Sequence, residues 1–107
     1  MGHATAEKMA GFDVLLTPTT AVPPFAAGGK PPREIDGEPV SVLGWMPFTY
    51  PFNLTGQPAA SVPAGLTADG LPVGLQIVGR RHADRAVLAA AAAFEAVRPW
   101  SARRPSL

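Results

Sequence analysis

The chain has 107 residues, which limits it to one domain with a modest core. Hydrophobic residues make up 47% and charged residues 16% of the chain, a balance that excludes a disordered polypeptide. The net charge is +1 without a dense basic cluster, which argues against a nucleic-acid partner, and the absence of cysteine excludes disulfides and thiolate chemistry.

The sequence carries no signal for export or membrane insertion. Its first turns mix Glu7 and Lys8 with small residues and contain no apolar run typical of a signal peptide. The longest apolar run, Ala86 to Phe94, is too short to cross a bilayer. We therefore predict a soluble, cytoplasmic chain with no membrane partner.

The N-terminal part predicts the end of a helix, a strand and a long loop. Thr5 to Ala10 is typical of the last turns of a helix, which Gly11 ends. The apolar run Val14-Leu15-Leu16 has no polar alternation, so it predicts a strand buried on both faces. Residues 18–40 are predicted to form a long Pro/Gly loop on the surface, and a proline-motif ligand for an SH3-type domain is the alternative.

The stretch from Ser41 to Leu54 is rich in aromatic residues and is interrupted by Pro47 and Pro51, which argue against one continuous helix. We expect a short helix that begins near Pro51, since proline is tolerated in a first turn, and that ends at Gly56. Packing alone explains the aromatic cluster, and the wall of a ligand pocket is the alternative. The cluster consists of Trp45, Phe48, Tyr50 and Phe52.

A β-hairpin is predicted over the stretch "ASVPAGLTADGLPVGLQIVG". Pro58 and Pro63 bracket an extended piece and exclude a helix through it. Asp69-Gly70 is typical of a hairpin turn, and Gly74 and Gly79 indicate a bulge or a close approach of the backbone. Alternating side chains give the second strand one apolar face, made of Val73, Leu75 and Ile77.

A helix over residues 84–98 is the clearest regular element. Asp84 can cap its start, and Pro99 ends it. Its apolar residues share one face at helical spacing and predict packing against a sheet. They are Val87, Ala90, Ala91, Phe94 and Val97. Residues 101–107 are predicted to form a flexible tail.

The sequence shows no arrangement of residues that supplies enzyme chemistry by itself. The serines, and the lysines Lys8 and Lys30, do not occur in a nucleophile elbow, and no glycine-rich phosphate loop is present. His3 and His82 lie far apart without a ligand spacing, and the carboxylates form no obvious pair. The residues alone predict a non-catalytic α/β module with no catalytic residue, no metal site and no cofactor.

Several blocks between about Phe12 and Trp100 resemble, in order, the C-terminal part of the amidase signature family. The blocks are "FDVLLTPTTAVPP" and "FNLTGQPAASVPAGLTADGLPVGLQIVGRR", followed by "LAAAAAFEAVRPW". Members of this family are serine hydrolases of amide bonds. Their nucleophilic serine is activated through a second serine, held in a cis peptide, and a lysine, and the resemblance places all three N-terminal to the residues present here. No residue of this chain therefore takes a catalytic role.

The resemblance also implies a fold and a partner. We expect an α/β fold in which residues 1–107 form a single partial domain, the C-terminal fragment of a large mixed sheet flanked by helices. The proline-bracketed strand is then wedged into that larger sheet. Because the strand Val14 to Leu16 lacks its cover, we expect a marginally stable chain that depends on an N-terminal amidase half or on self-association. A small non-catalytic binding or interaction module is the alternative.

The resemblance also implies which residues contact the substrate. In related enzymes the segment before the proline-bracketed strand helps to wall the acyl pocket, and here that segment contains Trp45, Met46 and Phe48. These residue types favour an apolar or aryl small-molecule amide as the substrate of the complete enzyme. Asn53 and Gln57 are expected to be structural amides that hold the turn.

Overall fold

The computed structural model of the protein describes residues 2–104. Helices and strands are mixed along these residues, which confirms the predicted α/β class. The elements in chain order are α1 (Gly2–Lys8), β1 (Val14–Pro18), β2 (Glu34–Ile35), β3 (Glu38–Pro39), α2 (Tyr50–Thr55), β4 (Ala59–Leu66), β5 (Pro72–Gly79) and α3 (Asp84–Val97). None of the helices in the described part is long and apolar enough to span a membrane.

The main sheet has three antiparallel strands in the order β1-β5-β4, so β5 is its central strand. The predicted hairpin is confirmed, because β4 and β5 pair directly and Ser61 lies opposite Gln76. On the other side of β5, Thr17 lies opposite the same Gln76. The register shifts between Pro63 and Gly65, where the second bracketing proline interrupts regular pairing.

Helix α3 packs on one face of this sheet and forms the core. The buried residues of the core are Val62, Ile77 and Val87. A Cβ atom at Gly79 would lie only 2.6 Å from Cγ2 of Val87, so the helix approaches the strand closely because residue 79 has no side chain. The predicted close approach at Gly79 is confirmed.

Two details of α3 differ from expectation. The prediction that Asp84 caps the helix is wrong: the N-cap residue is Ala83, no side chain caps it, and Asp84 lies in the first turn. A carboxylate there still interacts favourably with the positive end of the helix dipole. Val97 is expected on the packed face but is 77% exposed, because the helix runs beyond the edge of the core at its last turn.

Strand β1 is less buried than its sequence predicts. Leu16 is 56% exposed and Leu15 is exposed as well, so burial on both faces is wrong for the described chain. The physical reason is position: β1 is an edge strand whose one neighbour is β5, and α3 lies mainly over β4 and β5. The apolar composition of the strand correctly predicts its extended conformation, but its cover is not part of residues 2–104.

The segment 18–40 contains more structure than a loop. Strands β2 and β3 pair as a very short hairpin. The turn between them is made by Asp36 and Gly37, both with positive φ (52° and 79°), which suits the right-handed twist of a hairpin. Local hydrogen bonds of this kind are hard to foresee among so many prolines and glycines.

The remaining local predictions concern helix α2 and the tail. Helix α2 contains Pro51 in its first turn and ends at Gly56, whose left-handed φ of 69° lets its N–H donate to the carbonyl of Phe52. Both bounds agree with the prediction. In the predicted tail, Arg103 donates its N–H to the carbonyl of Trp100 at 2.8 Å, and residues 105–107 lie outside the described residues.

Candidate functional site

The face of the sheet opposite α3 carries a row of polar side chains. Thr17, Gln76 and Ser61 lie side by side across the three strands, because each is the direct cross-strand partner of its neighbour. Side chains alternate between the faces of a strand, so the apolar residues on either side of Gln76 point toward α3. The polar row is thus the surface on which a second layer can be placed.

Gln76 is the buried centre of this row. Only 4% of the residue is exposed, and its Nε2 donates hydrogen bonds to Oγ1 of Thr17 at 2.9 Å and to the carbonyl oxygen of Phe48 at 2.6 Å. The hydroxyl of Thr17 donates its own proton to the carbonyl of Pro18 at 3.0 Å. Thr17 can therefore only accept from Gln76, which fixes the orientation of the amide.

A hydroxyl pair stands next to the buried amide. Oγ1 of Thr19 and Oγ of Ser61 are 2.6 Å apart and share a hydrogen bond. They lie over Gly74, where a Cβ atom would be 2.6 Å from the first oxygen and 2.8 Å from the second. A side chain at position 74 would therefore force the two hydroxyls to move apart.

The aromatic segment, residues 45–48, lies above the polar row. The ring of Trp45 meets the ring of Phe25 edge-on, with centroids 5.4 Å apart at 87°, and its carbonyl accepts from the N–H of Ala21 at 3.0 Å. At the other end, the carbonyl of Phe48 is held by Gln76. The proline-rich loop and the sheet thus each hold one end of the segment.

The three residues expected to bind substrate all belong to this segment. Trp45, Met46 and Phe48 are half-buried. A cavity of about 450 Å³ lies elsewhere, between the end of the hairpin and the last turn of α3, and its lining includes Leu66, Val97 and Trp100 but none of these three residues. Their role in binding therefore stays a prediction, with the position of the segment as its structural basis.

The amides before β4 divide into one structural residue and one exposed residue. The Oε1 of Gln57 accepts from the hydroxyl of Thr55 at 2.9 Å, while its Nε2 donates to the sulfur of Met9 at 2.9 Å and to the carbonyl of Gly79 at 3.4 Å. Gln57 therefore joins the turn after α1 to α2 and β5, as expected of a structural amide. Asn53 is exposed and makes no hydrogen bond of this kind within residues 2–104.

The described residues bring no catalytic group into contact with another. Ser61, the serine on the polar row, is hydrogen-bonded to the hydroxyl of Thr19, and within residues 2–104 neither hydroxyl is hydrogen-bonded to a lysine or histidine that could act as a general base. No group of three histidine or acidic side chains in residues 2–104 could hold a metal ion. Within residues 2–104 the candidate site consists of a buried amide, a hydroxyl pair and an aromatic segment.

Comparison with known proteins identifies the family of the chain. The family model named Amidase matches residues 1–88, which is most of the chain. The chain belongs to the amidase signature family. Its resemblance to that family is therefore confirmed, and the match falls in the C-terminal part of these enzymes.

The relatives of this amidase chain are several times longer than the chain itself. An acylamidase from Rhodococcus erythropolis is 47% identical over 100 residues, which cover 92% of this chain and 21% of the relative. Among solved structures, a bacterial aryl acylamidase of the amidase signature family superposes with a TM-score of 0.85 at 44% identity, covering 98% of this chain and 23% of that one. A glutamyl-tRNA(Gln) amidotransferase subunit from Thermotoga maritima superposes with a TM-score of 0.75 at 39% identity, covering 92% and 20%.

These values confirm that the described residues have the fold of one part of an amidase. The chain spans about a fifth of the length of the relatives that it matches. The amidase chain therefore corresponds to a fragment of the family fold.

Proposed function

We propose that this chain is the C-terminal part of an amide hydrolase, and that the nucleophilic serine, the second serine and the lysine come from the rest of the family fold. The observation that carries the proposal is the combination of an amidase fold with an uncovered apolar edge. Strand β1 exposes Leu15 and Leu16, and nearby Phe12 is 64% exposed. An N-terminal amidase half that covers this edge would bury apolar surface worth about 25 cal/mol per Å².

The substrate that we infer is a small apolar or aryl amide. Trp45, Met46 and Phe48 are half-buried in a segment held at both ends, and such residues form a firm apolar wall. Two of the relatives above are described as acylamidases, one of them an aryl acylamidase. In our proposal the segment contacts the acyl or aryl group, while the bond is cleaved by residues outside this chain.

The test is complementation between two polypeptides. The chain is co-expressed with the N-terminal part of the Rhodococcus acylamidase that ends where the match begins, and release of an aromatic amine from an anilide is measured. We expect hydrolysis when both polypeptides are present and none with either alone. Leu16→Glu places a charge on the uncovered edge and should weaken the complex, whereas Lys30→Glu in the proline-rich loop serves as a charge-changing control.

A non-catalytic binding or interaction module is the second candidate. It is favoured by the partner of Ser61, which is a hydroxyl and not a base. Under this hypothesis the chain is a stable monomer, and complementation yields no activity although both polypeptides are folded. The cytoplasmic location and the absence of nucleic-acid and membrane partners remain predictions from the sequence.

A further inference from the structure

We propose that Gln76 is a positioning residue for the substrate wall, because its amide holds the carbonyl of Phe48 and thereby fixes the segment 45–48 against the sheet. This inference rests on the proposed function for the role of the wall. The contact itself can be tested without any activity.

The burial of Gln76 needs an explanation beyond the stability of the sheet. An amide on a central strand is stabilising only when its polar atoms are paired, and an apolar side chain fills such a position more simply. Only 4% of Gln76 is nevertheless exposed, and both protons of its Nε2 are used. One proton goes to Thr17 on β1, a strand that backbone pairing already holds in place.

The other proton goes to a segment that no strand pairing holds. Residues 45–48 lie outside the helices and strands, and beyond local bonds their backbone is tied to distant parts of the described chain by Ala21 at one end and by Gln76 at the other. The second of these ties is the one that connects the segment to the sheet. Since the amide cannot rotate without placing its oxygen against Thr17 Oγ1, whose proton is already donated to Pro18, the bond to Phe48 has a single geometry.

The direct test observes the carbonyl of Phe48. Phe48-Thr49 is the only Phe-Thr step in the sequence, so ¹³C-carbonyl phenylalanine combined with ¹⁵N-threonine gives one correlated resonance. The labelled chain is measured in complex with its unlabelled complement, or alone if no complement binds. Gln76→Glu replaces the donor with an acceptor that faces a carbonyl oxygen, and we expect the Phe48 carbonyl resonance to move upfield and to return partly at low pH, where a protonated carboxyl can donate.

Two further variants keep this test decisive. Gln76→Met removes the donor without burying a charge, so it should give the same upfield shift if Gln76→Glu does not fold. Thr17→Val removes the other partner of the amide and should leave the Phe48 resonance in place. An unchanged Phe48 resonance in a folded Gln76→Met variant overturns the proposed contact.

Kinetics of the complemented enzyme distinguish a role of Gln76 in positioning the segment 45–48 from a role in the stability of the fold. For an anilide with a bulky acyl group, Gln76→Met should raise KM by about tenfold, the low end of what one misfitted apolar group costs in a pocket. For an acetyl anilide, KM and kcat should change less. Equal losses for both substrates overturn the positioning role. Inactivity of the complemented parent chain refutes the proposed function instead, and the Phe48 resonance then still decides the contact.

Discussion

Substitution of Gly79 by alanine should destabilise the chain through one identifiable contact. The new Cβ would lie 2.6 Å from Cγ2 of Val87 and 3.3 Å from both the carbonyl oxygen of Ala83 and Cγ of Pro58. Overpacking of this kind costs about 1–3 kcal/mol, and the loss of backbone freedom in the unfolded chain returns about 0.4–1 kcal/mol. We expect a net loss of about 1–2 kcal/mol.

A second substitution identifies the cause. Val87→Ala alone removes buried methyl groups and leaves a cavity, at a cost of about 2–3 kcal/mol. In the double variant the Cγ2 atom that causes the main overlap is absent, and the new methyl group fills part of the cavity. The double variant should therefore be more stable than the sum of the single changes predicts, by about 1 kcal/mol.

The assay is urea unfolding followed by far-UV circular dichroism, in a fixed concentration of a stabilising osmolyte because the chain is expected to be marginally stable. Gly65→Ala is the matched control, since a Cβ at that position of β4 meets no atom within 4 Å. It should not destabilise the chain, and the loss of backbone freedom in the unfolded state should raise its free energy of unfolding by about 0.4–1 kcal/mol. If the effects of Gly79→Ala and Val87→Ala add within about 0.5 kcal/mol, the close approach of α3 to β5 is not what requires glycine, and our reasoning is refuted.

Three more predictions follow from other parts of the molecule. Gly74→Ala should separate the Thr19 and Ser61 hydroxyls and destabilise by about 1–3 kcal/mol, and Ser61→Gly in the same chain should restore part of this in the same urea assay. The hydroxyl of Thr67 donates to Asp69 and lowers the pKa of that carboxyl, so the turn is stabilised above the ordinary aspartate pKa and loses this as pH falls through the lowered value. A ¹³C titration of Asp69 should show the lowered pKa, and Thr67→Val should raise it. Sedimentation of the isolated chain should show association that increases with concentration, because β1 is an uncovered apolar edge; a monomer with a cooperative, concentration-independent melt contradicts this.

The elements that the sequence predicts well are those with local causes. The hairpin follows from Asp69-Gly70 between two extended runs, and α2 follows from Pro51 at its start and Gly56 at its end. In each case the decisive residue acts on its own backbone through a restricted or positive φ. Such signals do not depend on the rest of the fold, so they remain readable in a fragment.

Burial is less predictable because it depends on neighbours that are distant in sequence. The composition of β1 is that of a strand covered on both faces, yet Leu16 is exposed in the described chain. The same reasoning applies to the end of α3, where Val97 continues the apolar periodicity beyond the last contact with the core. The sequence pattern of a segment reflects the neighbours against which it packs, and under our proposal those neighbours include the remainder of the amidase fold.

The candidate site is predictable only in part for a related reason. Residue type identifies the aromatic segment. Gln76 connects this segment to the sheet, but in the sequence it is only one of the polar positions of an alternating strand. Its partner Phe48 is 28 residues away, so no local sequence spacing predicts the bond. The one sequence signal for this bond is the residue type of Gln76. An amide in the middle of an apolar strand is expected to be buried, and a buried amide needs hydrogen-bond partners.

The two faces of the sheet therefore make different kinds of contact, apolar packing on one face and hydrogen bonds on the other. Toward α3, Val62, Ile77 and Val87 form a buried apolar cluster. Toward the aromatic segment, the row of Thr17, Gln76 and Ser61 adds little apolar burial but fixes positions through directional bonds. At the buried amide of Gln76, hydrogen bonds specify one arrangement more sharply than apolar contacts do, because a shifted donor is left unpaired. The segment 45–48 is attached to the polar face through the bond from Gln76 to the carbonyl of Phe48, and a segment held in this way keeps one position relative to the sheet, which is what our proposed wall needs.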